Sequence, residues 1–353
     1  MLRITAFLIL LTGLSGCMSN DGTNPFSEAA NASTTEDSDT ETETGTTDED
    51  SSTGIATDGL APPVVTVMSQ NNSAIFASQG EADGYRYDAD NDHIYINNLP
   101  FDGLATDPYT RHAQVPTTNG QFGIYKSVDI VNGAVGNGDA DIEQFPHRAI
   151  YGSSESGGSQ VVIVKTGSYV GQGFGGYSYQ RLASDLDGND MGFIRPSDGQ
   201  AVWKGGYQAM LIYSDQAGLH HVTGKTELNI DFDHFETNPG VTLYITERQI
   251  FDDAGTDVTS QFDSNTFPNP DGTDSTFHQG IVSVVSTGGV LTANGEFSGD
   301  LTPSGNIDQG NFYGIISGNE ASEAVGVVVV DWTDPLFPGS TVHETGGFIV
   351  TRQ

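Results

Sequence analysis

Cys17 is the only cysteine in 353 residues, and it directly follows Leu14-Ser15-Gly16 at the end of an apolar run that begins at Ile4. That spacing suits lipidation. Small residues admit a signal peptidase, and a thiol immediately after them accepts a diacylglyceryl group and becomes the new N-terminus. Residues 1–16 read as a signal peptide with Arg3 at its head, too short to span a bilayer. The mature chain is expected to start at an acylated, palmitate-bearing Cys17, anchored by lipid alone. With that thiol used there are no disulfides, so the fold has to hold in an oxidising compartment by packing and sheet hydrogen bonds.

Two other groups of side chains have spacings that suggest chemistry. Asp88, Asp90 and Asp92, and then Asp185, Asp187 and Asp190, place carboxylates at the intervals of an oxygen-ligand loop for Ca²⁺. Neither loop has the glutamate at the twelfth position that completes an EF-hand, and Asx-rich turns between strands account for both without metal; that reading is preferred, with Ca²⁺ left open. The run 171–176 satisfies G-x-G-x-x-G, yet the residues after it, Tyr177 to Arg181, read as a strand. Without a helix N-terminus nothing cradles a pyrophosphate, so a glycine-rich turn is the better reading. The eight histidines show no HExxH or HxH pairing, and His220 and His221 are expected to point to opposite sides of a strand. No G-x-S-x-G elbow occurs, and carboxylate pairs are too common in this composition to mark a glycosidase. No catalytic residue, resident cofactor or enzyme activity is read from the chain.

The elements that carry these groups divide in composition. Residues 18–60 hold 11 acids and no base among Ser, Thr, Gly and Asn. Such a segment buries too little apolar surface to offset its entropy and reads as a disordered tether reaching roughly 35–40 Å, further with charge repulsion. Removing those 11 acids from the 47, and Arg3 from the 12 bases, leaves 36 against 11, a net charge near −25 for residues 61–353. Nucleic acid and anionic lipid are poor partners for that balance. A solvated surface suited to salty surroundings is the preferred explanation, and a docking face for a basic protein is the alternative.

Gly, Val, Ile, Thr, Tyr and Phe in short alternating runs between Asn-Gly and Asp-Gly turns predict an all-β chain. Residues 226–233 put Leu228, Ile230 and Phe232 on one face. Eight such segments lie near 200–211, 222–233, 241–251, 280–286, 290–301, 310–316, 324–331 and 342–351, which predicts a soluble, closed, eight-stranded antiparallel β-barrel. Thr242, Tyr244, Thr246 and Arg248 alternate against Leu243, Ile245, Glu247 and Gln249, so neither face makes a lipid-facing band. Residues 61–199 hold less regular strands, at 84–87, 93–97, 122–126, 148–151, 160–166 and 175–181, and read as an N-terminal β-rich, handle-like domain. Its boundary with the barrel domain, 200–353, falls at the Arg195–Gly199 turn.

Within 200–353, Gly310-Asn311-Phe312-Tyr313-Gly314 followed by residues 319–327 resembles the FYGP.A.E.GG segment of the transferrin-binding protein B barrel lobes. Residues 227–232, 295–299 and 344–348 resemble further strands of those barrels. The family's proline after Tyr-Gly is Ile315 here, and the chain has one such lobe rather than two. The resemblance implies a surface lipoprotein of handle-plus-barrel form, in a family some of whose members capture host iron proteins; no motif carries that family's receptor contacts onto this chain. The expectation is a binding lipoprotein of the outer membrane, exposed at the cell surface. Met18 after Cys17 agrees with outer-membrane sorting in bacteria that use that rule. It would take a protein or small ligand, for which the resemblance offers an iron- or haem-bearing molecule as one candidate and a TonB-dependent-type transporter as a candidate recipient. The alternative is a structural or adhesive surface lipoprotein whose barrel is scaffold.

Overall fold

The computed structural model describes residues 64–66, 84–97, 99, 106–131, 142–143, 146–167, 175–214, 217–233, 240–263, 266–268, 274–276, 281–285, 290–300, 307–333 and 340–353. Cys17, the acidic tether and residues 171–174 of the glycine-rich run lie outside them. Among the described residues the chain is all β apart from a short helix, α1 (Thr259–Asp263), and a 3-10 turn at Asn319–Ala321.

The first sheet is built from β1 (Val64–Thr66), β2 (Gly84–Asp88), β3 (His93–Asn97), β4 (Tyr109–Arg111), β5 (Phe122–Lys126), β8 (His147–Ser153), β9 (Ser159–Thr166) and β10 (Gly175–Arg181), with a small ladder of β6 (Ile130–Val131) and β7 (Ile142–Glu143) beside it. Its order is β1-β10-β9-β8-β5-β4-β3-β2, all antiparallel. The six sequence-expected strands are present, and β10 starts at Gly175 as a strand rather than a helix. The strands missed, β1, β4, β6 and β7, are two or three residues long, below the length at which alternation can be read.

The second sheet contains β11 (Gln200–Tyr213), β12 (Leu219–Asp231), β13 (Val241–Asp252), β16 (Ile281–Val285), β17 (Val290–Leu291), β18 (Glu296–Asp300), β19 (Ile307–Ser317), β20 (Glu323–Thr333) and β21 (Thr341–Arg352), and a hairpin of β14 (Thr266–Pro268) and β15 (Asp274–Thr276) lies apart from it. The order is β16-β13-β12-β11-β21-β20-β19-β18-β17, so the first and last strands of this half, β11 and β21, pair at its middle.

This differs from the expected barrel in two respects. The fifth expected strand divides into β17 and β18 around Asn294-Gly295, where Gly295 takes φ +86° and the turn closes through Gly295 N–H to Thr292 O (3.1 Å); nine strands result. Among the described residues no pairing joins β16 to β17, so the hydrogen-bonded order is open rather than closed. The sheet is nevertheless rolled. Phe297 on β18 and Phe348 on β21 lie three strand intervals apart, about 14 Å in a flat sheet, yet their ring centroids are 6.4 Å apart. Leu228, Ile230 and Phe232 are buried inside this roll with Trp203, Tyr207, Phe312 and Val350.

The outer face of the roll was expected to meet solvent; much of it meets the first sheet. Met210, Ile315, Val325, Val327 and Ile349 pack there against Phe122, Ile124, Ile150, Val161, Ile163, Tyr177 and Tyr179. β20 and β9 are therefore buried on both faces, which explains the unbroken apolar runs Val327–Val330 and Val161–Val164. On the far side of the first sheet, Tyr87 stacks on Tyr151 at 4.3 Å, bringing β2 over β8 although they are four places apart in the sheet order.

Candidate functional site at the seam of the two sheets

The seam has an apolar middle and charged margins. In the first sheet Lys126 pairs with Arg148, and Arg148 with Lys165, so three cations share one transverse rung. Directly opposed like charges destabilise a sheet unless something else neutralises them. The second sheet supplies that neutralisation. Asp253, just past β13, accepts Arg148 Nε and Nη2 at 2.9 and 2.6 Å. Asp331 of β20 is the charge that acts on Lys165. Arg148 and Asp331 are almost wholly enclosed and Lys165 completely so. Burial pulls the Lys165 ammonium down to about 7 from the usual lysine range, against the opposing pull of Asp331.

Three histidines sit beside these carboxylates. His221 of β12 is fully buried and its Nε2 meets Asp253 Oδ1 at 3.2 Å; His112, following β4, places Nε2 2.8 Å from the Asp253 carbonyl oxygen. Burial lowers the His221 pKa, and the hydrogen bond to Asp253 only partly offsets it. Despite its own partial burial, Asp253 is held well below the usual carboxylate range by His221 and Arg148. His343 of β21 stands opposite Asp331 in the ladder, Nδ1 to Oδ1 at 2.5 Å. At the opposite margin Arg181 donates from Nη1 to the Asn294 and Ile316 carbonyls, both at 3.0 Å, and Ser156 donates to Glu323 at 2.8 Å.

Inside the roll a separate polar group crosses the core. Tyr207 donates to Glu344 Oε1 at 2.7 Å, and Arg248 Nη2 pairs with Glu344 Oε2. Arg248 reaches the interior because Glu247 (φ +51°) and Arg248 together oppose Gly224, a bulge that resets the alternation so that Ile245, Arg248 and Ile250 are all buried. The expectation that Arg248 shares a face with Thr242, Tyr244 and Thr246 is corrected by that extra residue.

The sequence-selected aspartates lie elsewhere. Asp92 accepts Tyr87 OH (3.0 Å), Tyr125 OH (2.7 Å) and the Nε and Nη2 of Arg111 (2.8 Å each), so it ties three strands together. Asp88 accepts the amide N–H groups of Asp90 and Asn91, and Asp185 those of Asp187 and Asn189; Asp190 accepts the Gly192 amide. These are Asx turns within each loop. Among the described residues no group of three or more His, Cys, Asp or Glu is arranged to hold a metal ion. His220 and His221 do point oppositely, His220 to Tyr213 OH (2.7 Å) and His221 to the seam. The sequence offered no HExxH or HxH pairing to mark His221, and its partners Asp253, His112 and Arg148 are distant in the chain or on other elements.

No protein-family model and no curated sequence matches the chain. Among solved structures it overlaps a double mutant of the vaccine antigen transferrin binding protein B from Haemophilus parasuis Hp5, at 12% identity and TM-score 0.34, over 77% of this chain and 45% of that one. A single mutant of the same antigen gives 11% and 0.29 over 64% and 41%. The isotype 1 protein from serogroup B Neisseria meningitidis gives 10% and 0.24 over 74% and 62%. The chain thus spans less than half the length of the first two and under two thirds of the third. Overlaps this loose assign neither family nor ligand, and the two-sheet architecture stands on its own strand pairing.

Proposed function

We propose that this chain is a lipoprotein of the outer membrane, acylated at Cys17, whose acidic tether carries a two-sheet β body outward to capture a protein or small-ligand partner. The observation that carries the reading is the seam. The margins of the first sheet are pinned to the second by Arg148–Asp253, Lys165–Asp331 and Arg181 on two carbonyls, so both sheets are offered as one interlocked body at the end of a long tether. The interior of the roll is occupied by Trp203, Tyr207, Phe297, Phe312 and Phe348. A partner therefore binds the loops and outer surface rather than a lumen. The resemblance of residues 310–327 to the transferrin-binding protein B barrel motif supports iron or haem acquisition as the purpose, with hand-off to a TonB-dependent-type transporter.

The mature chain without its lipid, immobilised and exposed to iron-loaded transferrin, apo-transferrin and haem in turn, is expected to give saturable binding of one of them. Deletion of the protein is then expected to slow growth on that iron source. Absence of binding to all three, with normal growth on each and altered cell attachment on deletion, favours the structural or adhesive role instead.

A further inference from the structure

The barrel turn 252–256 meets the first sheet through a small set of groups. Asp252 Oδ1 accepts the N–H groups of Ala254 (3.0 Å) and Thr256 (2.8 Å), shaping the turn. Gly255 (φ +83°) brings the backbone so close to the loop after β4 that a β-carbon on it would lie 2.0 Å from Gln114 O. Asp253 then reaches across to His112 and Arg148 while accepting from His221 of its own sheet.

The arrangement tolerates only one protonation state of His221. The neutral ring donates Nε2–H to Asp253 and leaves Nδ1 as a bare lone pair, fully buried and without a hydrogen-bond partner among the described residues. A second proton would place an N–H there with no acceptor, a penalty of about 1–3 kcal/mol for a neutral donor and more for a charged one. It would also add charge next to Arg148, on a rung that already carries Lys126 and Lys165. Among the described residues the groups facing His221 are Asp253 from its own hairpin, His112 from the loop after β4 and Arg148 from β8, with His220 on the opposite face of β12; Asp331 and His343 lie further along the seam. Among the described residues Asp253 is the carboxylate in contact with His221, and it already receives two hydrogen bonds from Arg148.

We propose that the turn 252–256 is an acid-released latch: protonation of His221 detaches it from His112 and Arg148 and loosens that margin of the seam, whatever the molecule binds. The sign follows from the direction of the shift. Burial lowers the pKa of His221 in the closed form below its value in the open form, so the latch is fully closed above the ordinary histidine pKa of about 6.5 and loses stability as pH falls below it. The apolar middle of the seam contains no titrating group from this set and stays closed.

Hydrogen–deuterium exchange on the intact mature chain tests this. With rates corrected for the intrinsic effect of pH, amides of residues 112–115 and 250–256 are expected to lose protection between pH 7.5 and pH 5. Amides of β9 and β20 are expected to hold. His221→Gln, whose amide keeps the Nε2 donor and cannot take a proton, is expected to remove the change. Should that variant fold poorly, an NMR titration of the histidines in the natural chain decides the matter. Equal protection at both pH values, the same loss in His221→Gln, or a His221 that titrates at or above the ordinary value each overturns the latch.

Discussion

Glu344 and Lys165 show how differently two buried charges behave. Arg248 and Glu344 are both nearly inaccessible and joined directly, with Tyr207 on the second carboxylate oxygen. Removing one member leaves the other charged in the core, so Glu344→Leu is expected to lower stability by about 3–5 kcal/mol, while Arg248→Met with Glu344→Leu recovers most of it. Urea unfolding followed by the fluorescence of Trp203 and Trp332, both in the roll's core, measures this. Lys165 is fully enclosed, and burial outweighs the pull of Asp331 on its charge. Its proton is lost near pH 7 in the folded state, whereas the unfolded chain keeps it to about 10.4. Over that window the unfolded state binds more protons, so stability is expected to rise with pH. Melting curves from pH 7 to 9.5 should show the rise in the natural protein and a flat profile in Lys165→Met.

At the scale of elements, glycines with positive φ separate turns that merely need the conformation from turns that also need the space. Gly188 (φ +81°) has nothing near its missing β-carbon, whereas Gly255 (φ +83°) abuts Gln114 O. Gly188→Ala is expected to cost about 1 kcal/mol and Gly255→Ala about 3 kcal/mol, because only the second adds overpacking at the seam to backbone strain; thermal unfolding of the two variants compares them. The sequence made the long strands readable for a physical reason. Leu228, Ile230 and Phe232 alternate because one face is core. It concealed the bulge at Glu247, since one inserted residue shifts Arg248 inward without altering the local pattern. It also concealed the double burial of β20, because a run such as Val327–Val330 is equally compatible with several packings. The seam was the least readable part: Arg148, Asp253 and His221 are far apart in the chain, and register alone brings them together.

For the whole molecule, the charge balance sets how the surface behaves. Of the 11 bases after residue 60, Arg148, Lys165, Arg181 and Arg248 are turned inward, leaving seven to share the exterior with an excess of carboxylates. Such a surface repels itself, and raising ionic strength from about 0.01 to about 1 M shortens the Debye length from about 30 to about 3 Å. The melting temperature is therefore expected to climb with NaCl, which a salt series of thermal melts checks. The proposed anchor makes the most direct demand. Cells producing the natural chain or Cys17→Ser are treated with protease while intact, and the body is followed by immunoblot. A surface lipoprotein predicts that the natural chain is shaved from the cells, and that Cys17→Ser takes up no labelled palmitate and leaves the membrane fraction. A natural chain that is protected in intact cells and cleaved only after lysis would contradict the account.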